Sequence, residues 1–273
     1  MKLIEQQSIF LKKMNWKLEL KKCLEDKSRA YMIEKYLFKG DLWKGQSKVL
    51  DKIIANHTTI VTKSRDVGFT TLMAAYVACE LALNSENSSR KLFVYGSFNN
   101  QTYDLFKKKV QEFLDLIPNE LFIESNTPYL IRRLWKLNTE CLEGIISDPD
   151  ITIIYDEYAY SSGLEFKDID WPFVKKFIIC STPNHNNLKW YNLVENVVNT
   201  SSYVRMEWFE NPRHRDGDDD PVIELSDMNG KDKHYTNKWL DKRRKIYFDE
   251  ESFSDEVLAE VYKYAVKIEK KVF

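Results

Sequence analysis

The sequence predicts an α/β fold, a mainly parallel central sheet flanked by helices with a small helical lobe appended. Three features carry that expectation. Short runs that are almost wholly apolar recur along the chain, as strands buried on both faces of a parallel sheet require. Helical stretches separate these runs, and strand, turn and helix in repetition build a doubly wound sheet. The composition is that of an ordered chain: 43% of the 273 residues are apolar and 30% charged, with only 8 Gly and 7 Pro, so a single main domain with a sizeable core is expected.

In chain order, residues 1–40 are polar, Lys/Glu-rich and helical in pattern. The first strand is TTIVT (58–62), and TLMAAYVACELAL (71–83), apolar on all sides, is a helix buried directly behind it. Further strands are KLFVYGS (91–97), ITIIYDE (151–157) and KFIICST (176–182). Residues 127–147 have the pattern of a two- or three-stranded antiparallel insertion. Past residue 211 the texture changes: 210–234 carries Pro, Gly and many charges and is expected to be an irregular connection, while 237–273 is helical in pattern. The expected division is a core over 1–212, including the N-terminal helical segment, and a lid or linker subdomain over 213–273.

A net charge of −1 argues against an overall basic coat for nucleic acid, although a local basic face is compatible with it. Cys23, Cys79, Cys141 and Cys180 are scattered without a C-x-x-C pair, which favours reduced core thiols in an intracellular protein. Charges interrupt every apolar run near the N-terminus, and no run approaches the roughly 20 apolar residues of a membrane span. No membrane association is expected.

The chemistry is expected at IVTKSRDVGFTT (60–71). A phosphate-binding loop follows G-x-x-x-x-G-K-[ST], with backbone amides around the phosphates, a lysine on the β/γ-phosphates and a hydroxyl on Mg²⁺. Here Gly68 and Thr70 stand at the second glycine and the hydroxyl, but Lys63 replaces the first glycine and Phe69 replaces the lysine. The bland alternative is an ordinary strand-to-helix turn. Against it stands the context, because a loop between a strand and a buried helix puts Gly68, Phe69, Thr70 and Thr71 at a helix N-terminus, where free amides favour phosphate. Ser64, Arg65, Asp66 and Val67 complete the candidate loop.

ITIIYDE ends in Asp156 and Glu157, the form of a Walker B element, in which the Asp supports Mg²⁺ and the Glu polarises the attacking water. Two adjacent carboxylates at the end of a buried strand are costly to desolvate unless a cation is near. FIICSTPN (177–184) ends in small polar residues, and Ser181, Thr182 and Asn184 are candidates for sensing a γ-phosphate. In LWKGQ (42–46), Trp43 and Gln46 are candidates for the adenine edge.

Together these elements resemble the ATPase domain of the large terminase subunit of tailed bacteriophages, the motor that packages double-stranded DNA. KLFVYGSFNNQTYDLFKKKVQEFLDLIP (91–118) is similar to that family's second strand and helix, 181–212 to its stretch after the coupling motif, and WLDKRRKIYFDEESFSDEVLAE to its lid-to-linker segment. The resemblance implies a P-loop NTPase of the ASCE type. It also implies that the displaced Lys63 serves as the loop lysine, with Mg²⁺ on Thr70 and Asp156 and ATP as substrate. Glu157 is the implied catalytic acid, Arg65 a phosphate contact or cis arginine finger, and Arg132 or Arg133 an arginine acting in trans.

The implied partners are double-stranded DNA, the portal protein of the procapsid, the small terminase subunit and further copies of the chain in a ring, with a monomer in isolation. The implied location is the host cell cytoplasm. A nuclease domain of the kind found in such subunits is not expected in this chain, and DGDDD (216–220) is expected to be a solvated loop. Two other readings are a helicase-type remodelling ATPase and a nucleotide-binding assembly module that does not hydrolyse.

Overall fold

The computed structural model describes residues 12, 14–23, 28–83, 91–97, 99–122, 130–137, 150–161, 174–184, 187–214, 223–226, 233–247, 253 and 258. Residues 14–23 are helical, followed by α1 (Ser28–Met32), which runs into a π-helical segment, Ile33–Phe38. Then come α2 (Lys44–Ala55), β1 (Thr58–Lys63), α3 (Phe69–Ala82), β2 (Lys91–Gly96), α4 (Asn100–Leu116), β3 (Leu134–Lys136), β4 (Asp150–Tyr155), β5 (Val174–Ser181), α5 (Leu188–Val197), β6 (Tyr203–Met206), β7 (Ile223–Ser226), β8 (Lys233–Thr236) and α6 (Lys238–Arg244). Six strands form one all-parallel sheet in the order β3-β2-β4-β5-β1-β6, flanked by helices. The four strands expected from their apolar runs are all in it.

Two expectations are corrected. Within 127–147, the described residues form a 3-10 turn, Ile131–Arg133, and the short edge strand β3, which pairs parallel to β2 through Phe93 with Leu134 and Tyr95 with Lys136. Leu134 is buried, and joining the sheet as a parallel strand satisfies its backbone as well as its side chain; residues 127–129 and 138–147 lie outside the described residues. Within 210–234, β7 pairs antiparallel with β8, Leu225 opposite His234, where an irregular connection was expected. The many charges there concealed two short strands. DGDDD lies outside the described residues.

By packing, the chain divides into two compact units. The first comprises Met1–Leu42, Thr70–Ile154 and Leu164–Phe177. Its centre is α3, whose residues from Leu72 to Ala82 are buried, including the acid Glu80. Burial alone would raise the Glu80 pKa, but Arg29 and Lys91, both in contact with its carboxylate, hold it below the usual value. Such a buried pair adds little net stability, but removing one partner would leave a buried charge uncompensated. Tyr95 of β2 stacks on Phe106 of α4, ring centroids 3.8 Å apart. Asn99 caps α4 by accepting from Thr102 N at 2.9 Å.

The second unit comprises Trp43–Phe69, Tyr155–Gly163 and Ile178–Phe273. Here β1 pairs with β6, Ile60 opposite Tyr203 and Lys63 opposite Met206. Behind β6, Trp208, Leu240 and Phe253 form a small core against which Phe209, Trp239, Tyr247 and Leu258 pack. Among the described residues Cys23, Cys79 and Cys180 are buried free thiols, as expected of core cysteines. No helix among them is long and apolar enough to cross a membrane.

Candidate functional site

The second unit gathers most of the expected site. Lys63 is the last residue of β1 and is buried, which for an ammonium demands a partner. The partner is Glu157: Lys63 Nζ lies 2.5 Å from Glu157 Oε1 and 3.3 Å from Thr182 Oγ1. Burial pushes the Lys63 pKa down, but the Glu157 carboxylate, with Asp156 and the neighbouring Cys180 adding to it, outweighs burial and keeps the lysine charged. Glu157 Oε2 accepts from Thr182 N at 3.4 Å. Three residues far apart in sequence thus meet beyond the ends of β1, β4 and β5.

The turn that carries the acids is built for this. Asp156 follows β4 directly and is buried. Glu157 adopts the left-handed conformation, φ 57°, which is uncommon for a residue with a side chain and swings its carboxylate out of the strand direction. A 3-10 turn, Tyr158–Tyr160, follows. Ser181 accepts from Ala159 N at 3.0 Å, while Asn184 and Asn187 donate to Ala159 O at 3.4 and 2.6 Å. Of the three expected sensor residues, Thr182 touches Lys63, whereas Ser181 and Asn184 brace the turn behind the acids.

The loop between β1 and α3 contains two left-handed residues, Asp66 (φ 61°) and Gly68 (φ 78°). A Cβ at Gly68 would come within 2.8 Å of Gln46 Nε2 and 3.2 Å of the Trp43 ring, so only glycine fits. Gln46 Oε1 accepts from Trp43 N at 3.1 Å, capping α2. The two expected adenine residues therefore form the wall against which the loop's glycine rests. Val67 and Phe69 are buried and anchor the loop's apolar side, so Phe69 serves as packing where an ordinary loop would have its lysine. Arg65 is exposed, its guanidinium 5.9 Å from the Tyr160 ring centroid. Ser64 is buried and donates its N–H to Met206 O at 3.0 Å.

Thr70 and Thr71 are the second and third residues of α3. In the first unit, Thr71 Oγ1 accepts from Lys109 Nζ at 3.0 Å. Arg132 is exposed and Arg133 half-buried, both in the 3-10 turn before edge strand β3. Among the described residues, no group of three or more His, Cys, Asp or Glu side chains is placed to hold a metal ion.

A search with protein-family models and a search among curated proteins found no match to this chain. What the site can do follows from its own geometry. That geometry includes residues the sequence did not single out. Asn211 donates to Asp66 O at 2.7 Å, and His214 stacks on Trp239 with ring centroids 4.0 Å apart. Arg213 lies 6.0 Å from the Trp43 ring centroid. Glu210, buried, pairs with Lys48 and accepts from Glu207 N at 3.0 Å. Their only sequence signal is a dense polar and aromatic string, EWFENPRH (207–214), with no spacing that announces a role.

Proposed function

We propose that this chain is a P-loop NTPase of the ASCE type that hydrolyses ATP, the motor domain of a terminase large subunit that drives double-stranded DNA into a procapsid. One observation carries the enzymatic reading. The lysine at the start of the loop, the acid after the strand and a hydroxyl at the end of a third strand converge within hydrogen-bonding reach of one another. The strand β5, which Thr182 directly follows, lies between the loop strand β1 and the acid strand β4, which supports the additional-strand type. Ligands of open parallel sheets bind beyond the carboxyl ends of the strands, where these three residues are.

In this reading the lysine is displaced, not lost. Lys63 reaches the phosphates from the strand side, a task a long flexible ammonium can perform from either side of a loop. Phosphate binding draws Lys63 away from Glu157 and frees that carboxylate to accept a proton from the attacking water. Thr182, in contact with both Lys63 and Glu157, reports whether Lys63 holds the carboxylate or a phosphate. The amides of residues 66–70 face the phosphates at the start of α3.

Mg²⁺, bound together with the nucleotide, would supply charge neutralisation at the phosphate oxygens. Asp156 and Thr70 are the residues assigned to it, a carboxylate and a hydroxyl that suit a hard cation completed by phosphate and water. Arg65, exposed beside Tyr160, is assigned to the transition-state charge in cis. The terminase assignment adds DNA, portal, small subunit and ring formation as partners, and it rests on the resemblance of the motifs and their order.

The test is phosphate release by the purified chain with ATP and Mg²⁺, with and without duplex DNA. Turnover that requires both Lys63 and Glu157 and rises with DNA supports the proposal. A folded protein that neither binds nor hydrolyses ATP overturns it.

A further inference from the structure

We infer that Asn211 is a positioning residue that holds the candidate phosphate-binding loop in shape from a hook formed by residues 207–214 and 237–243. Its consequence for catalysis rests on the function proposed above, but the contact itself does not. Asn211 is buried, and both its amide nitrogen and its amide oxygen have partners. Nδ2 donates to Asp66 O at 2.7 Å and lies 3.1 Å from His214 Nε2, while Oδ1 accepts from Arg213 N at 2.9 Å. The two hydrogens of Nδ2 match two acceptors on opposite sides.

The tautomer of His214 follows from its other contact. Nδ1 lies 2.8 Å from Trp208 O, a carbonyl that can only accept, so Nδ1 carries the hydrogen and Nε2 is free to accept from Asn211. The ring is clamped flat on Trp239, and His214 O accepts from Asn237 Nδ2 at 2.9 Å. Asn237 in turn caps α6 by accepting from Leu240 N at 2.8 Å. From α6, Arg243 Nη2 reaches to 3.8 Å from the Asp66 carboxylate.

Asp66 is thus held twice, by its carbonyl and by its side chain, and it is one of the loop's two left-handed residues. The holds are unequal. The Asp66 side chain is 75% exposed, so the ion pair with Arg243 contributes little. The donation from Asn211 is buried at its donor, and losing it leaves polar groups unsatisfied. Aspartate tolerates the left-handed conformation better than most side chains, and the Asn211 donation braces Asp66 in it. Through the same hook, a change in loop conformation reaches His214, Asn237 and α6.

The experiment compares wild type with Asn211→Asp, which keeps the acceptor and removes both donations, and with Asn211→Ala, which removes the amide without adding charge. Hydrogen exchange of the nucleotide-free protein is read over residues 64–69 and over β4. Affinity for a fluorescent ATP analogue, KM and kcat are read in parallel. Both variants are expected to exchange about tenfold faster over 64–69 with β4 unchanged, the scale of one buried hydrogen bond. KM is expected to rise more than kcat falls, because the loop is misplaced while Glu157 is not.

Exchange unchanged over 64–69, or raised equally in β4, overturns the inference. If wild type binds no nucleotide, it is the proposed function that fails, and the exchange result still decides the role of Asn211.

Discussion

Lys63 Nζ and Glu157 Oε1 lie 2.5 Å apart, joining the end of β1 to the turn after β4 across 94 positions of sequence. The pair is largely buried, with 7% of the lysine side chain and 19% of the glutamate side chain exposed. It serves two purposes in the proposed enzyme. It satisfies a buried ammonium while the site holds no phosphate, and it occupies the acid until a phosphate competes for the lysine.

Lys63→Ala is therefore expected to abolish ATP hydrolysis and also to lower stability, by up to about 3 kcal/mol, the lower end for breaking a buried pair. Phosphate release and urea unfolding check both effects. Phe69→Ala should differ: its ring is buried, so a stability loss of about 3 kcal/mol or more with residual nucleotide binding is expected. Full turnover in Lys63→Ala with loss of binding in a folded Phe69→Ala would reverse the assignment.

Glu157→Gln should bind ATP and lose hydrolysis by about 10²-fold, the scale of a positioned base. The amide oxygen can still accept from Lys63, so the melting temperature should fall less than in Lys63→Ala. Single-turnover hydrolysis and calorimetry measure the two quantities. Hydrolysis equal to wild type would remove Glu157 from the mechanism.

Gly68→Ala combines two penalties, a side chain at φ 78° and a Cβ 2.8 Å from Gln46 Nε2. The conformational part alone is about 1 kcal/mol. Adding Gln46→Ala should recover the steric part only, so the double variant is expected to be more stable than the sum of the single effects. Additive losses in urea unfolding would mean that Gln46 yields without resistance.

His214 makes stability depend on pH. Burial holds its pKa below the ordinary histidine value, with the Trp208 carbonyl and Asp66 acting in the opposite direction and Arg243 adding to burial. The unfolded chain then takes up a proton first, near pH 6.5, so stability is greatest above that value and falls as pH drops from it toward the lower folded pKa. Protonation also places a hydrogen on Nε2 facing the Asn211 donor. Melting curves from pH 7.5 to 5 should show this loss in wild type and a smaller one in His214→Gln. An identical pH profile in the variant would exclude His214 as its source.

The sequence by itself determined four of the strands, β1, β2, β4 and β5, and where chemistry is to be sought. The β-branched stretches TTIVT and ITIIY, the second nearly all apolar, suit interior strands of a parallel sheet, which β1 and β4 are. The all-apolar stretch after Gly68 likewise had to be the buried helix α3, and polar residues at strand ends marked the acids and the Ser181–Asn184 stretch.

What periodicity cannot carry is pairing between distant segments. β3, β6, β7 and β8 are three or four residues long and owe their conformation to the neighbour that accepts their backbone hydrogen bonds. Only the tertiary structure decided that Lys63 faces Glu157, that Gln46 lies against Gly68 and that Asn211 grips Asp66. Each of these involves a left-handed residue, Glu157, Gly68 or Asp66; glycine and aspartate take that conformation readily, but for Glu157 it comes from surrounding contacts and has no pattern in the local sequence.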